Sequence, residues 1–141
     1  MDSLYTAEAL STGAGRNGRT ATPDGTIDLQ LAVPTSMGGD GKGANPEQLF
    51  AAGYAACFHS ALQGVARKAK VDLGDSSVGA RVSIGRNDDG EGFGLAVELE
   101  VTIPDLPHEQ AQELADAAHR VCPYSNATRG NIPVTVTVSD D

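Results

Sequence analysis

The chain has 141 residues, 40% of them apolar and 4% aromatic, with no Trp. One domain over residues 1–141 is expected, large enough to bury roughly 70% of its unfolded surface without help from a disulfide or a metal. Ten Lys and Arg stand against 19 Asp and Glu, a net charge of −9, which argues against nucleic acid and an anionic membrane surface as partners.

The opening MDSLYTAEALSTGAG has no basic start and no long apolar run, so neither a signal peptide nor a membrane span is expected, and the expected compartment is the cytoplasm. Leu4 to Leu10 reads as a short strand, Thr12 to Gly15 as a turn, and Arg16 to Thr22 as a returning strand. Pro23-Asp24-Gly25 signals a turn. Ile27 to Val33 alternates apolar and polar residues and completes a three-stranded meander. Pro34 to Gly43 is a Gly-rich loop. A helix is predicted from Pro46 to Lys70, with Asn45 as N-cap, Pro46 at the first helical position and Glu47 at the positive helix start. Phe50, Tyr54, Cys57, Ala61, Gly64 and Val65 follow helical spacing on one face.

Val78 to Arg86 and Leu95 to Ile103 alternate with period two around Asn87-Asp88-Asp89-Gly90, which predicts an antiparallel hairpin. A second helix fits Pro107 to Val121, with Ala111, Leu114, Ala115 and Ala118 on its apolar face. Cys122 lies eleven residues after Ala111, close to three turns, and extends that face. Pro123 stops the helix, and Val134, Val136 and Val138 mark a last strand. The order β-β-β-α-β-β-α-β implies an α+β fold: antiparallel sheets with two central packed helices, each carrying one cysteine inward.

Two cysteines in a cytoplasmic protein are either buried apolar residues or a transient catalytic pair. Spacing cannot show that their Cα atoms come within the roughly 7 Å a disulfide needs. A zinc site using His59 and His119 fits poorly, because residues two apart on a helix point about 200° apart; His119 and Cys122 alone could share a metal. His108 has no visible partner. Arg16, Arg19, Arg81 and Arg86 read as surface charges, but a nucleophilic thiol must ionise near neutral pH, and a neighbouring arginine lowers its pKa. Glu47 is suited to hold such an arginine by a bidentate pair. In an unbroken helix Glu47 and Cys57 are about 15 Å apart along the axis. One arginine bridging them therefore needs a break near Gly53 or a helix starting after Glu47.

Two segments carry a family resemblance. Asn45 to Phe58, NPEQLFAAGYAACF, resembles the first cysteine motif of organic hydroperoxide resistance proteins, and His119 to Asn131, HRVCPYSNATRGN, resembles the second. Gly15-Arg16-Asn17-Gly18, Gly38-Gly39 and the last strand also fit, so the resemblance covers nearly the whole chain, within the wider osmotically induced protein superfamily. It implies an intertwined homodimer with two active sites at the subunit interface. It implies peroxidase activity on fatty-acid and other organic hydroperoxides, no bound cofactor, and reduction by dihydrolipoyl groups on a lipoylated protein. By motif position Cys57 is the peroxidatic residue, Cys122 the resolving one, Arg16 the catalytic arginine and Glu47 its carboxylate partner. Where the family has Gly-Gly before this arginine the chain has Ala14-Gly15, and Arg19 is the alternative. An apolar pocket formed by Phe50, Tyr54 and neighbours would favour organic peroxides. The competing reading is a small apolar-ligand binding module with inert buried cysteines.

Overall fold

The computed structural model describes residues 1–140. The chain divides into two compact units, Met1–Leu49 and Phe50–Asp141. The first is an antiparallel meander of three short strands, β1 (Leu10–Thr12), β2 (Arg19–Ala21) and β3 (Asp28–Gln30), in that order. The expected first strand over Leu4 to Leu10 is displaced. Leu10 pairs with Ala21, the last residue of β2, so the residues before Leu10 have no partner strand, and Leu4 and Tyr5 stay exposed.

The segment predicted to begin the second strand is instead a 3₁₀ turn, Gly15–Asn17. Gly13 and Gly15 adopt φ of 79° and 63°, the left-handed region that glycine enters at little cost. A Cβ at Gly18 would collide with the Thr12 carbonyl. The Gly-Arg-Asn-Gly run is thus a backbone device that turns Arg16 outward from the meander. Leu31 and Ala32 are buried just beyond β3, and the Ala32 N–H donates to the Ala44 carbonyl at 2.9 Å.

Asn45 then caps α1 (Pro46–Lys68). Its Oδ1 accepts from the Gln48 backbone N–H at 2.8 Å, and the Gln48 side chain accepts from the Asn45 N–H at 3.2 Å. This reciprocal box satisfies two of the orphan donors around a helix start. The helix ends two residues earlier than expected because Lys70 turns left-handed, φ 59°. The Val71 N–H reaches back to the Ala66 carbonyl and the Lys70 N–H to that of Arg67, the 6→1 and 5→2 bonds of a Schellman ending.

In the second unit β4 (Ser77–Arg86), β5 (Phe93–Thr102) and β6 (Val134–Ser139) form one sheet with β5 in the middle. The predicted hairpin is present, with Val82 opposite Val97. The last strand departs from expectation: β6 runs parallel to β5. A parallel neighbour needs a long crossover, and α2 (His108–Val121) and the unpredicted α3 (Pro123–Thr128) supply it. Period-two alternation reports which face is buried and says nothing about strand direction.

Val97, Leu99 and Val101 of β5 point into the core, as do Ala111, Leu114, Ala115 and Ala118 of α2. From α1 the fully buried residues are Tyr54, Phe58, Leu62 and Ala66. Of the predicted face, Tyr54 lies on that stripe, while Phe50, Cys57, Ala61 and Val65 form its flank, packed on the core but only partly buried. Small side chains left the sequence pattern shallow, and Phe58 and Leu62 decide which side faces inward. No helix among the described residues is long and apolar enough to cross a membrane.

Phe58 is completely buried at the centre of this cluster. Phe58→Ala should lower unfolding stability by about 3–5 kcal/mol, read as a shifted urea midpoint with an unchanged slope.

Candidate active site

The two cysteines meet. Cys122 is fully buried, Cys57 is partly exposed, and both are free thiols. The Cys122 Sγ–H points at the Cys57 Sγ across 3.8 Å, about van der Waals contact. Modest side-chain rotation would bring the sulfurs to the roughly 2.05 Å of a disulfide.

The local chain explains the meeting. Pro123 disfavours helical geometry at the residue before it, and Cys122 accordingly sits at φ −63°, ψ 126° between α2 and α3. This kink follows the apolar face of α2, so the thiol stays interior while α3 starts in a new direction. The backbone N–H of Tyr124 then hydrogen-bonds the Cys57 sulfur. Gly53, one turn before Cys57, gives the Tyr124 ring room: a Cβ there would lie 2.9 Å from its hydroxyl. Tyr124 packs with Tyr54 and Phe50 at ring separations of 5.7 and 6.4 Å.

Beneath the kink lies a buried polar network that the sequence analysis missed. Tyr54 Oη is 2.8 Å from Ser125 Oγ and 3.1 Å from Thr128 Oγ1, and His119 Nδ1 is 2.8 Å from the same serine. Arg129 donates to the His119 carbonyl at 2.9 Å. These bonds tie the end of α2 and the whole of α3 to α1. The only signal for them was the polar run after Pro123, which reads as a loop until α3 is known.

Arg16 and Glu47 form a bidentate pair within the first unit, at 2.8 and 2.7 Å. The Arg16 guanidinium holds the Glu47 carboxyl below its usual range, against a smaller opposing effect of burial. Arg19 is bound bidentately to Asp28 on a more exposed surface. Glu47 therefore takes Arg16, and Arg19 is engaged elsewhere.

The helix break that one arginine would need in order to serve both Glu47 and Cys57 is absent. α1 runs unbroken through Gly53, so the two positions stand about 15 Å apart along its axis. Burial pushes the Cys57 thiol up, the Tyr124 N–H pulls it down, and Cys122 adds to the rise.

The remaining candidates fall away from the thiols. His59 lies 2.9 Å from the Ser76 hydroxyl. His108, expected to be unpartnered, pairs with Asp140 at 2.7 Å. Arg81 pairs with Glu98, and Arg86 sits over the Phe93 ring. No cluster of three metal-ligating side chains occurs among the described residues. Of the two residues expected to form an apolar pocket, Tyr54 is completely buried in the core. Cys57 opens on a cavity of about 640 Å³ whose walls include Ala61, Gly64, Val65 and Val121.

Residues 39–137 match the model of the OsmC-like protein family. The chain is 51% identical over 138 residues to the organic hydroperoxide resistance protein of Xanthomonas axonopodis pv. citri, covering 96% of this chain and 95% of that one. It is 45% identical to the organic hydroperoxide resistance protein OhrB of Bacillus subtilis, over 93% and 95% of the two chains. The crystal structure of an organic hydroperoxide resistance protein from Elizabethkingia anophelis superposes with a TM-score of 0.93 at 50% identity, covering all of both chains. This chain belongs to the OsmC-like family.

The resemblance of the two cysteine segments to the organic hydroperoxide resistance proteins holds over the whole length, and the α+β architecture is that of these OsmC-like relatives. The buried network beneath Cys122 yields a pH test. Burial, then the nearby Arg129, holds His119 below the usual histidine range, with Asp116 opposing. The unfolded chain therefore takes up the proton first, and the stability due to neutral His119 is present above pH of about 6.5 and lost as pH falls through that range. Between about pH 7.5 and 5.5 the wild type should lose more unfolding stability than His119→Gln. Urea midpoints at the two pH values test this, and equal losses in both proteins would remove His119 from the network.

Proposed function

We propose that the protein is a thiol peroxidase that protects against organic hydroperoxides, with Cys57 as nucleophile and Cys122 as resolving thiol. The observation that carries the reading is the 3.8 Å contact between a partly exposed and a fully buried sulfur. The names of the relatives support the hydroperoxide substrate.

In the proposed cycle the Cys57 thiolate attacks the outer oxygen of R–O–O–H. The O–O bond breaks, the alkoxide takes a proton and leaves as R–OH, and the sulfur becomes a sulfenic acid, oxidised by two electrons. Cys122 then attacks that sulfur, its proton leaves with the hydroxyl as water, and the S–S bond forms. An external dithiol, proposed as a dihydrolipoyl group on a lipoylated protein, returns two electrons and two protons by exchange. No step calls for a bound cofactor.

The first step needs a thiolate, yet burial raises the Cys57 pKa. A homodimer offers the remedy. With α1 unbroken, Arg16 of the partner subunit is the proposed cation beside Cys57, steadied by Glu47 and able to hold the peroxide oxygens. The competing reading, an apolar-ligand module with inert cysteines, draws on the same cavity but leaves the sulfur contact without a role.

Cys57→Ser should abolish peroxide consumption with the fold intact. Cys122→Ser should consume about one equivalent per chain, stall, and carry Cys57 to the sulfinic and sulfonic forms under excess peroxide. Intact-mass spectra after one equivalent of an alkyl hydroperoxide decide between the readings, since inert cysteines leave both masses unchanged. For the arginine, Arg16→Ala should raise the pH midpoint of Cys57 alkylation by about 1–3 units, while Arg19→Ala leaves it within a few tenths. Equal shifts in the two variants would contradict the choice of Arg16.

A further inference from the structure

The buried side chains beneath the kink can be ordered by where each hydrogen goes. Thr128 Oγ1 lies 3.2 Å from the Ser125 backbone carbonyl, and a carbonyl only accepts, so Thr128 donates there. Its oxygen is left to accept from Tyr54 Oη at 3.1 Å. Tyr54 has a single hydrogen, so toward Ser125 Oγ, at 2.8 Å, it accepts. The Ser125 hydrogen is thereby committed to Tyr54, and its oxygen accepts from His119 Nδ1 at 2.8 Å. Every contact is satisfied in one direction only, from His119 Nδ1–H through Ser125, Tyr54 and Thr128 to the Ser125 carbonyl. Running the hydroxyls the other way leaves that carbonyl contact without a hydrogen.

This order assigns the histidine tautomer. Neutral His119 carries its proton on Nδ1, and its Nε2 has no hydrogen-bond partner among the described residues to compete for it. The chain is also clamped at its ends. Ser125 is completely buried and Thr128 nearly so. Pro123 has no N–H to offer the His119 carbonyl one turn back, and the Arg129 guanidinium takes that place at 2.9 Å. The Arg129 N–H in turn donates to the Ser125 carbonyl at 2.9 Å. Both ends of α3 are thus tied to the end of α2 and to Tyr54 of α1.

Tyr124 stands between Pro123 and Ser125. Its N–H hydrogen-bonds the Cys57 sulfur, and its ring packs on Tyr54 at 5.7 Å. A backbone N–H has no rotamer of its own, so the residues on either side set where it points. We propose that His119, Ser125 and Tyr54 are positioning residues for the nucleophile: their one-way chain of donors holds α3 in place and keeps the Tyr124 N–H on the Cys57 sulfur. A hydrogen bond to sulfur favours the thiolate, and burial disfavours it. A donor that drifts off the sulfur therefore leaves burial less opposed. The inference rests on the reading of Cys57 as the reacting thiol, but its test does not depend on turnover.

The first measurement uses the wild type. In proton–nitrogen NMR spectra of histidine-labelled protein at a pH of about 8, where histidine is neutral, His119 should carry its proton on Nδ1. Its signals are identified by their loss in His119→Asn, and a proton on Nε2 would reverse the chain and overturn the proposal. The second is the pH midpoint of Cys57 alkylation by iodoacetamide, read by peptide mass. Ser125→Ala and His119→Leu should raise the midpoint by about 0.5–1 unit. His119→Asn, whose amide N–H stands near the place of Nδ1, should return it to within a few tenths of wild type. Leu62→Ala, a core change that lowers stability without touching the chain, should leave the midpoint unmoved. Should both chain-breaking variants fail to fold, Tyr54→Phe, which removes one hydroxyl from the chain, takes their place. Unmoved midpoints in the chain-breaking variants overturn the proposal. So does an equal rise in Leu62→Ala, since loosened packing would then account for the shift. The expected tautomer and midpoints in a protein that consumes no peroxide would overturn the peroxidase reading and leave the positioning chain standing.

Discussion

The sulfur site depends on one residue that leaves the helical region. Cys122, at ψ 126°, separates α2 from α3 because Pro123 follows it. Were the helix to continue, the Tyr124 N–H would be committed to a carbonyl within it, and the polar run Ser125 to Thr128 would lie elsewhere. Because it stops, the Cys122 thiol stays on the apolar side of α2, the Tyr124 N–H turns to the Cys57 sulfur, and Ser125 falls beneath Tyr54. The hydroxyl network then fixes the kink. A buried polar group left without a partner costs about 1–3 kcal/mol, and Tyr54, Ser125 and Thr128 satisfy one another only in this arrangement. Precise placement of a thiol is thus held by polar groups that never touch sulfur.

This architecture sets two demands against each other. Packing Cys57 beside a buried thiol and an aromatic cluster disfavours its anion, while the proposed chemistry needs that anion. The first unit makes a half-exposed arginine paired bidentately with Glu47, and Glu47 precedes the cysteine by ten residues on an unbroken helix. On the proposed reading, assembly of two copies resolves the conflict, and an unassembled chain would keep its thiol protonated. Reactivity would then be tied to a correctly formed dimer.

Much of this was legible in the sequence. Asn45-Pro46-Glu47-Gln48 announced the start of α1 through local chemistry, and Ala111, Leu114, Ala115 and Ala118 announced the buried face of α2 through spacing; both stand. Arg16 and Glu47 were named from motif position and do pair, though 31 residues apart. What failed did so for identifiable reasons. The inward face of α1 was read to one side, with Tyr54 on the buried stripe and Phe58 and Leu62 left out, because a helix rich in Ala and Gly has a weak apolar pattern. The direction of β6 was misread because alternation carries no polarity. α3 was missed because six residues of Pro, Tyr, Ser, Asn, Ala and Thr look like a loop, and only tertiary bonds make them a helix. Gly53 read as a weak point and is a contact surface for Tyr124. The cavity could not be seen at all, since its lining comes from α1 and from residues at the α2–α3 kink.

The unequal exposure of the two sulfurs constrains the order of events on the proposed cycle. Cys122 is sealed from solvent, so a bulky peroxide reaches Cys57 first, and Cys122 can act only on a sulfur already oxidised. The same seal governs the return step. A dithiol entering by the cavity meets the Cys57 sulfur of the disulfide, because that is the sulfur the cavity exposes. Attack there makes Cys122 the leaving thiol and joins the reductant to Cys57. Exchange proceeds through a thiolate leaving group, first the Cys122 sulfur and then the Cys57 sulfur. The Tyr124 N–H hydrogen-bonds the Cys57 sulfur, so on the proposed cycle the donor that favours the Cys57 thiolate in the attack on peroxide also favours its release when the reductant closes its own disulfide.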